Sequence, residues 1–150
     1  MDSSRTLIQR NRRASFDFEL LDRYEAGMVL TGTEVKSVRE GRVSLKESYA
    51  RVTAGEVWAI NLDIQPYRNA GHVNHEPKRP RKLLLHRHEI RRIKSKVIQK
   101  GLTLVPTQIY VRQGLIKLEV AVARGRARAD KRQVIRSREE ERRLRRRSMR

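Results

Sequence analysis

Apolar and polar residues alternate with a period of two along much of this chain, which predicts half-buried strands. Phe16, Phe18 and Leu20 alternate with Asp17 and Glu19 and predict a first strand. Met28 to Thr31 reads as a second, following a turn at Ala26-Gly27. Thr33 is placed to cap a short helix from Glu34 to Glu40, with Val35 and Val38 on one face and Gly41 at its end. Ser48 to Val52 and Val57 to Ile64 predict a hairpin across Thr53-Ala54-Gly55-Glu56, and Pro66 stops the second arm. Residues 65–82 hold Pro, Gly, Asn and His without periodicity and read as a long loop. Glu89 to Lys100 is the strongest helix, since Ile90, Ile93 and Val97 share a face and Gly101 follows. Leu102 to Arg112 and Leu115 to Ala123 predict a last hairpin, turning at Gln113-Gly114.

Five or six strands with one amphipathic helix inserted late predict a mainly β fold, a small closed Greek-key barrel. The OB-like barrel is the common form of this kind that binds nucleic acid. A flat α+β sandwich fits the same pattern. The length of 150 residues suits one compact domain with a tail. With 37% apolar residues the chain has enough for one modest core.

Charge narrows the class of partner. The chain carries 36 Lys and Arg against 17 Asp and Glu, a net charge of +19, which suits a polyanion and nucleic acid first. Residues 124–150 alone hold 13 basic and 4 acidic residues, and beyond Ile135 their only large apolar residues are Leu144 and Met149. Such a segment buries too little to offset its ordering entropy, so it is expected to be disordered when free and helical once its charge is neutralised. The favourable i,i+4 pairs Glu139 with Arg143 and Glu141 with Arg145 support that helix. Leu144 and Met149 are too little for an apolar, membrane-seeking face. Other basic patches are Lys78-Arg79-Pro80-Arg81-Lys82 and the trio Arg10, Arg12 and Arg13. No apolar run is long enough to span a bilayer, and residues 1–13 lack the apolar stretch of a secretory signal, so a cytoplasmic protein is expected.

Catalytic chemistry finds little support. There are no cysteines, which excludes a disulfide scaffold, a thiolate metal site and a thiol nucleophile. His72, His75, His86 and His88 fall close together, with Glu76 and Glu89 nearby, but their spacing matches neither a helical metal-binding pair nor a recognisable acid–base arrangement. Loop or RNA-contact histidines are the simpler reading. No phosphate loop, dinucleotide fingerprint or nucleophile elbow occurs, so neither an enzyme nor a cofactor is expected. RNA recognition combines basic surface with stacking planes and groups that reach base edges. Tyr24, Tyr49, Trp58, Tyr67 and Tyr110 are candidate platforms, each of which also suits a β-protein core. Glu25, placed at the predicted turn, is either a solvated carboxylate or an acceptor for a donor on RNA.

The segment from Tyr24 through Glu25-Ala26-Gly27-Met28-Val29-Leu30-Thr31-Gly32-Thr33-Glu34 to Ser37 resembles SmpB, the SsrA-binding protein family of bacterial trans-translation. The resemblance extends through Asn11-Arg12-Arg13-Ala14, Gly41-Arg42-Val43, Asn61 to Tyr67, Arg79 to His86, Gly101 to Pro106, Ala123-Arg124-Gly125 and Asp130-Lys131-Arg132, in order over roughly residues 11–150. It implies a flexible N-terminus over residues 1–10, an OB-like RNA-binding barrel over 11–123 and a basic C-terminal tail over 124–150. It implies a non-enzymatic adaptor that binds the tRNA-like domain of tmRNA, supports its alanylation and escorts alanyl-tmRNA with elongation factor Tu into stalled ribosomes. The tail would turn helical on the ribosome and occupy the empty mRNA channel near the small-subunit decoding centre. Glu25, Leu84 and Lys117 match the family's tmRNA-contacting positions, with Arg12, Arg13, Arg81 and Lys82 as further candidates for the same surface. Asp130, Lys131 and Arg132 match the tail motif needed for tagging. The resemblance departs at Phe16, where many relatives carry His, and at Ala129, where relatives often carry an aromatic ring able to stack on rRNA; Arg128 offers a guanidinium plane beside it.

Overall fold

The computed structural model describes residues 4–126 and 128–148. Its first half contains β1 (Arg5–Arg10), α1 (Ala14–Asp17), β2 (Phe18–Met28), α2 (Gly32–Arg39), β3 (Val43–Ser44), β4 (Tyr49–Thr53), β5 (Glu56–Ile60) and β6 (Asp63–Ile64). There follow β7 (Arg81–Leu84), α3 (Arg87–Lys100), β8 (Thr103–Arg112), β9 (Leu115–Gly125) and α4 (Arg128–Ser148). Strands β8, β4, β5, β7, β2 and β9 pair in that order, and β9 returns to pair with β8, so the antiparallel ring closes on itself. Closure removes the free sheet edges that a flat sandwich would leave. Strand β1 joins the C-terminal half of β8, and β3 and β6 form a separate two-stranded ladder.

Alternation fills the ring. Tyr24 and Ala26 of β2, Val57 and Ala59 of β5, Leu83 of β7, Leu104 and Ile109 of β8, and Leu118, Val120 and Val122 of β9 all turn inward into one apolar cluster. Ile93 of α3 joins this cluster, and Ile90 and Val97 pack against it, which is the face predicted for that helix. Gly101 ends α3 with φ +63°, a left-handed cap that glycine adopts without a Cβ clash.

The first predicted strand is the main local correction. Residues 14–17 form a helical turn, and the strand starts only at Phe18. Opposite β9, β2 slips register between Leu20 and Arg23, and this bulge reverses which residues face the barrel. Phe18 and Leu20 therefore pack outside it, on Ala14, Val105 and Ala123, while Tyr24 and Ala26 lie inside. The even-numbered apolar residues on either side of Asp22 thus serve two cores. Nor is there a turn at Ala26-Gly27, because Gly27 and Met28 pair with Leu84 and Leu83 and carry β2 onward.

Helix α2 begins two residues earlier than predicted. Its cap is Thr31, whose N–H donates to Glu34 Oε1 at 2.8 Å, since Glu34 stands three residues on, as a capping box requires. The expected flexible N-terminus is corrected from Arg5 onward, where β1 forms. Gln9 fixes it: its amide donates to the Val43 carbonyl at 2.7 Å and accepts from the Leu45 N–H at 2.7 Å. The tail forms helix α4 over Arg128–Ser148, as its composition allows. Arg138 Nη2 ties α4 to Ser15 Oγ at 2.8 Å, and Glu141 pairs with Arg145 at 3.3 Å.

Candidate nucleic-acid interface

Cross-strand partners share a face of a sheet, so register alone builds the site. Leu84 of β7 lies opposite Gly27 of β2, Gly27 opposite Lys117 of β9, and Lys117 opposite Tyr110 of β8. One row of the outer barrel surface thus holds Leu84, Gly27, Lys117 and Tyr110. Leu84 is 51% exposed, so it lies on the barrel surface and not in the core. Gly27 is the floor beneath it: a Cβ there would stand 3.4 Å from the Leu84 Cβ, in ordinary contact with the leucine. A groove of about 270 Å³ opens beside this row, walled by Leu30, Val35, Leu84 and Leu115, with Arg39 and Lys117 also lining it.

Glu25 and Arg112 lie two residues along from Gly27 and Tyr110, on the same face. Glu25 Oε2 accepts from the Tyr110 hydroxyl, and Oε1 pairs with Arg112 Nη2 at 2.5 Å. Burial, then the hydrogen bond and charge of Glu25, push the Tyr110 phenol up to about 12, so it stays protonated and donating. The guanidinium of Arg5 lies over the Tyr110 ring at 4.5 Å. Glu25 is therefore a mid-strand carboxylate in a network rather than a turn residue. The neighbouring acid Glu119 is quenched as well, accepting from Thr107 at 2.8 Å, Arg23 at 2.9 Å and Gln108 at 2.9 Å. Burial works against its ionisation, but these donors outweigh burial and lower its pKa.

The basic stretch 78–82 divides. Lys82 is half-exposed and pairs with Glu56 at 3.1 Å. Arg81 is 0% exposed, which corrects its placement on the RNA surface. Its Nε donates to Glu34 Oε2 at 2.6 Å and its Nη1 to the carbonyls of Leu62 at 2.5 Å and Pro77 at 3.0 Å. Arg79 Nη2 donates to the other Glu34 oxygen at 2.5 Å. Burial acts to raise the Glu34 pKa, but donors from Arg79, the Thr31 N–H and Arg81 prevail and hold it at about 2. This buried triad ties α2 to the start of β7 and to the loop before it.

Arg12 lies on another surface. With Arg10, Arg23, Arg138, Arg142 and Arg145 it lines a groove of about 690 Å³ between α4 and the barrel. Arg13, the N-cap residue of α1, is exposed, paired with Asp17 at 3.5 Å and lying 5.6 Å over the Phe16 ring, so Phe16 is not barrel core. Arg128, Asp130, Lys131 and Arg132 fall within α4, and their side chains, like Ala129, lie outside the described residues.

The histidines do not converge. Both ring nitrogens of His75 are engaged, Nε2 with the Ile64 carbonyl at 2.8 Å and Nδ1 with Thr33 Oγ1 at 2.9 Å. His86 and His88 stack on each other 5.5 Å apart. Among the described residues no group of three or more His, Cys, Asp or Glu could hold a metal ion. Of the aromatic candidates Tyr24 and Tyr110 are buried, Trp58 and Tyr67 half-buried and Tyr49 exposed. Arg5, Gly27 and Arg112 escaped the sequence reading. Only the pairing of β1, β8 and β9 brings them beside Glu25, and that register has no local signal.

A closed barrel with a basic and partly apolar outer face, flanked by a basic helix, is the frame of a nucleic-acid-binding module. Comparison sharpens this. The family described as SmpB protein matches residues 8–150. The SsrA-binding protein of Syntrophobacter fumaroxidans is 51% identical over 138 residues, covering 92% of this chain and 86% of the relative. That of Desulfitobacterium hafniense is 52% identical over 136 residues, covering 91% and 87%. A chain of the solved structure described as "tmRNA-SmpB: a journey to the center of the bacterial ribosome" superposes with a TM-score of 0.68 at 48% identity, covering 85% of this chain and 94% of that one. The chain belongs to the SmpB family, an RNA-binding family and not one of enzymes.

Proposed function

We propose that this chain is a tmRNA-binding adaptor of trans-translation. Its outer face around Glu25, Leu84 and Lys117 binds the tRNA-like domain of tmRNA, with Lys82 at the margin and Arg12 and Arg13 as further contacts. It supports alanylation of that domain and accompanies alanyl-tmRNA, with elongation factor Tu, to stalled ribosomes in the cytoplasm. The tail, through Arg128, Asp130, Lys131 and Arg132, occupies the vacant mRNA channel near the decoding centre and permits tagging of the nascent peptide. The observation that carries this reading is the single row Leu84–Gly27–Lys117, which brings positions 33 to 90 residues apart in sequence onto one exposed, basic and partly apolar face. An apolar contact beside a cation suits a folded RNA whose unpaired bases leave the stack, while the cations meet phosphate.

Deleting the chain from Asp130 tests the division of labour. The truncated protein is expected to bind the tRNA-like domain as the full chain does and to fail in tagging. Loss of both activities together contradicts separate roles for barrel and tail.

A further inference from the structure

A carboxylate on a phosphate-binding face is an electrostatic liability unless it meets a donor. Both Glu25 oxygens already have partners within the protein, the Tyr110 hydroxyl on one and Arg112 Nη2 on the other. The Arg112 side chain is 38% exposed, and among the described residues Glu25 is its only side-chain partner. Its Nε is buried without a hydrogen-bond partner, so the donors left to face solvent are on the terminal nitrogens. Around this pair lie two more cations. Arg5 is opposite Arg112 in the β1–β8 ladder with its guanidinium over Tyr110, and Lys117 is opposite Tyr110 in the β8–β9 ladder. Three cations from three adjacent strands thus surround one carboxylate, and the patch is net positive.

We propose that Arg112, with Arg5 and Lys117, forms a phosphate-binding clamp on the RNA face, and that Glu25 is a positioning residue acting through Arg112 rather than by touching RNA. The inference rests on the tmRNA reading above and names a contact within it. A guanidinium offers two parallel donors to a phosphate only when its plane is held, and an unrestrained arginine loses rotamer entropy on binding. Glu25 grips one terminal nitrogen and is itself fixed by Tyr110, so the plane of Arg112 is set before RNA arrives. Lys117 adds a point charge that needs no such orientation.

The test is a double-mutant cycle in the full-length chain, with Kd for the tRNA-like domain of tmRNA measured over a salt series and elongator tRNA as reference. Arg112→Ala is expected to weaken binding roughly tenfold and to reduce the salt slope by about one phosphate contact. Glu25→Ala and the isosteric Glu25→Gln are expected to weaken binding too, although each removes a negative charge and simple electrostatics predicts tightening. Glu25→Ala/Arg112→Ala is expected to bind no more weakly than Arg112→Ala alone, and Arg112→Lys is expected not to restore affinity, because an ammonium lacks the planar fork. A Glu25 effect that persists undiminished in the Arg112→Ala background overturns the positioning role, as does tighter binding by both Glu25 variants. An unchanged affinity and salt slope in Arg112→Ala overturns the clamp. These outcomes, in a wild-type chain that prefers tmRNA, sink this inference alone. A wild-type chain without that preference sinks the reading beneath it as well.

Discussion

Two glutamates nine positions apart show how differently this barrel uses a carboxylate. Glu34 is fully buried, and its oxygens are taken by Arg79, Arg81 and the Thr31 backbone. Glu25 lies on the outer face, held by Tyr110 and Arg112 beside exposed Leu84. The first is an internal tie that joins α2 to β7, and removing it should unfold the protein before it affects RNA. The second sits among groups that solvent and RNA can reach, so changing it should alter binding while leaving the fold. Burial separates the roles, because an ion pair excluded from water leaves an uncompensated charge when one partner goes.

The comparison breaks most visibly at the buried tie. Glu34→Ala is expected to destabilise the fold by about 3–5 kcal/mol in urea unfolding, since it strands the guanidinium of Arg81. A loss under about 1 kcal/mol would mean that water reaches the triad. The pH dependence follows with a definite sign. Glu34 is held at about 2 against an ordinary 4.5, so its contribution is fully present above pH 4.5 and is lost as the pH falls toward 2. That contribution is about 3 kcal/mol, and urea midpoints of wild type and Glu34→Gln measured from pH 6 to pH 2 should converge at the acid end.

On the outer face the effects move from stability to binding. Leu84→Ala is expected to leave the unfolding midpoint nearly unchanged, because Leu84 is half-exposed, while weakening RNA binding roughly tenfold at constant salt slope. Lys117→Ala is expected to lower affinity less and to reduce the salt slope by about one contact. The smallest effect tests local structure: Thr31→Ala should cost about 1 kcal/mol of stability, whereas Thr33→Ala should leave the α2 cap intact.

What was legible in the sequence was whatever local periodicity and turn chemistry decide. The hairpin across Thr53 to Glu56, the amphipathic face of α3 with its Gly101 stop, and the closing hairpin at Gln113-Gly114 all stand close to where they were expected. What was not legible depends on pairing between distant strands. The bulge between Leu20 and Arg23 falls where Leu20-Leu21-Asp22-Arg23 breaks the alternation, but only the pairing with β9 shows that inside and outside exchange there. Arg81 reads as one more cation in a basic stretch, but as the first residue of β7 it turns inward while Lys82 turns out. Strand β1 carries too few apolar residues to announce itself, since Gln9 anchors it through backbone groups. The candidate site follows the same division. Glu25, Leu84 and Lys117 were found through resemblance, whereas Gly27, Arg5 and Arg112 emerged only from register.

The central claim is that the outer face along β7, β2 and β9 recognises tmRNA by shape and contact as well as by charge. Its most direct measurement is the Kd of wild-type and Leu84→Ala chains for the tRNA-like domain of tmRNA, competed with elongator tRNA at low and at raised salt. A large preference for tmRNA that survives the higher salt in the wild type and shrinks in Leu84→Ala is the predicted result. Equal binding to both RNAs that collapses with salt, indifferent to Leu84, would contradict it and leave only a basic barrel.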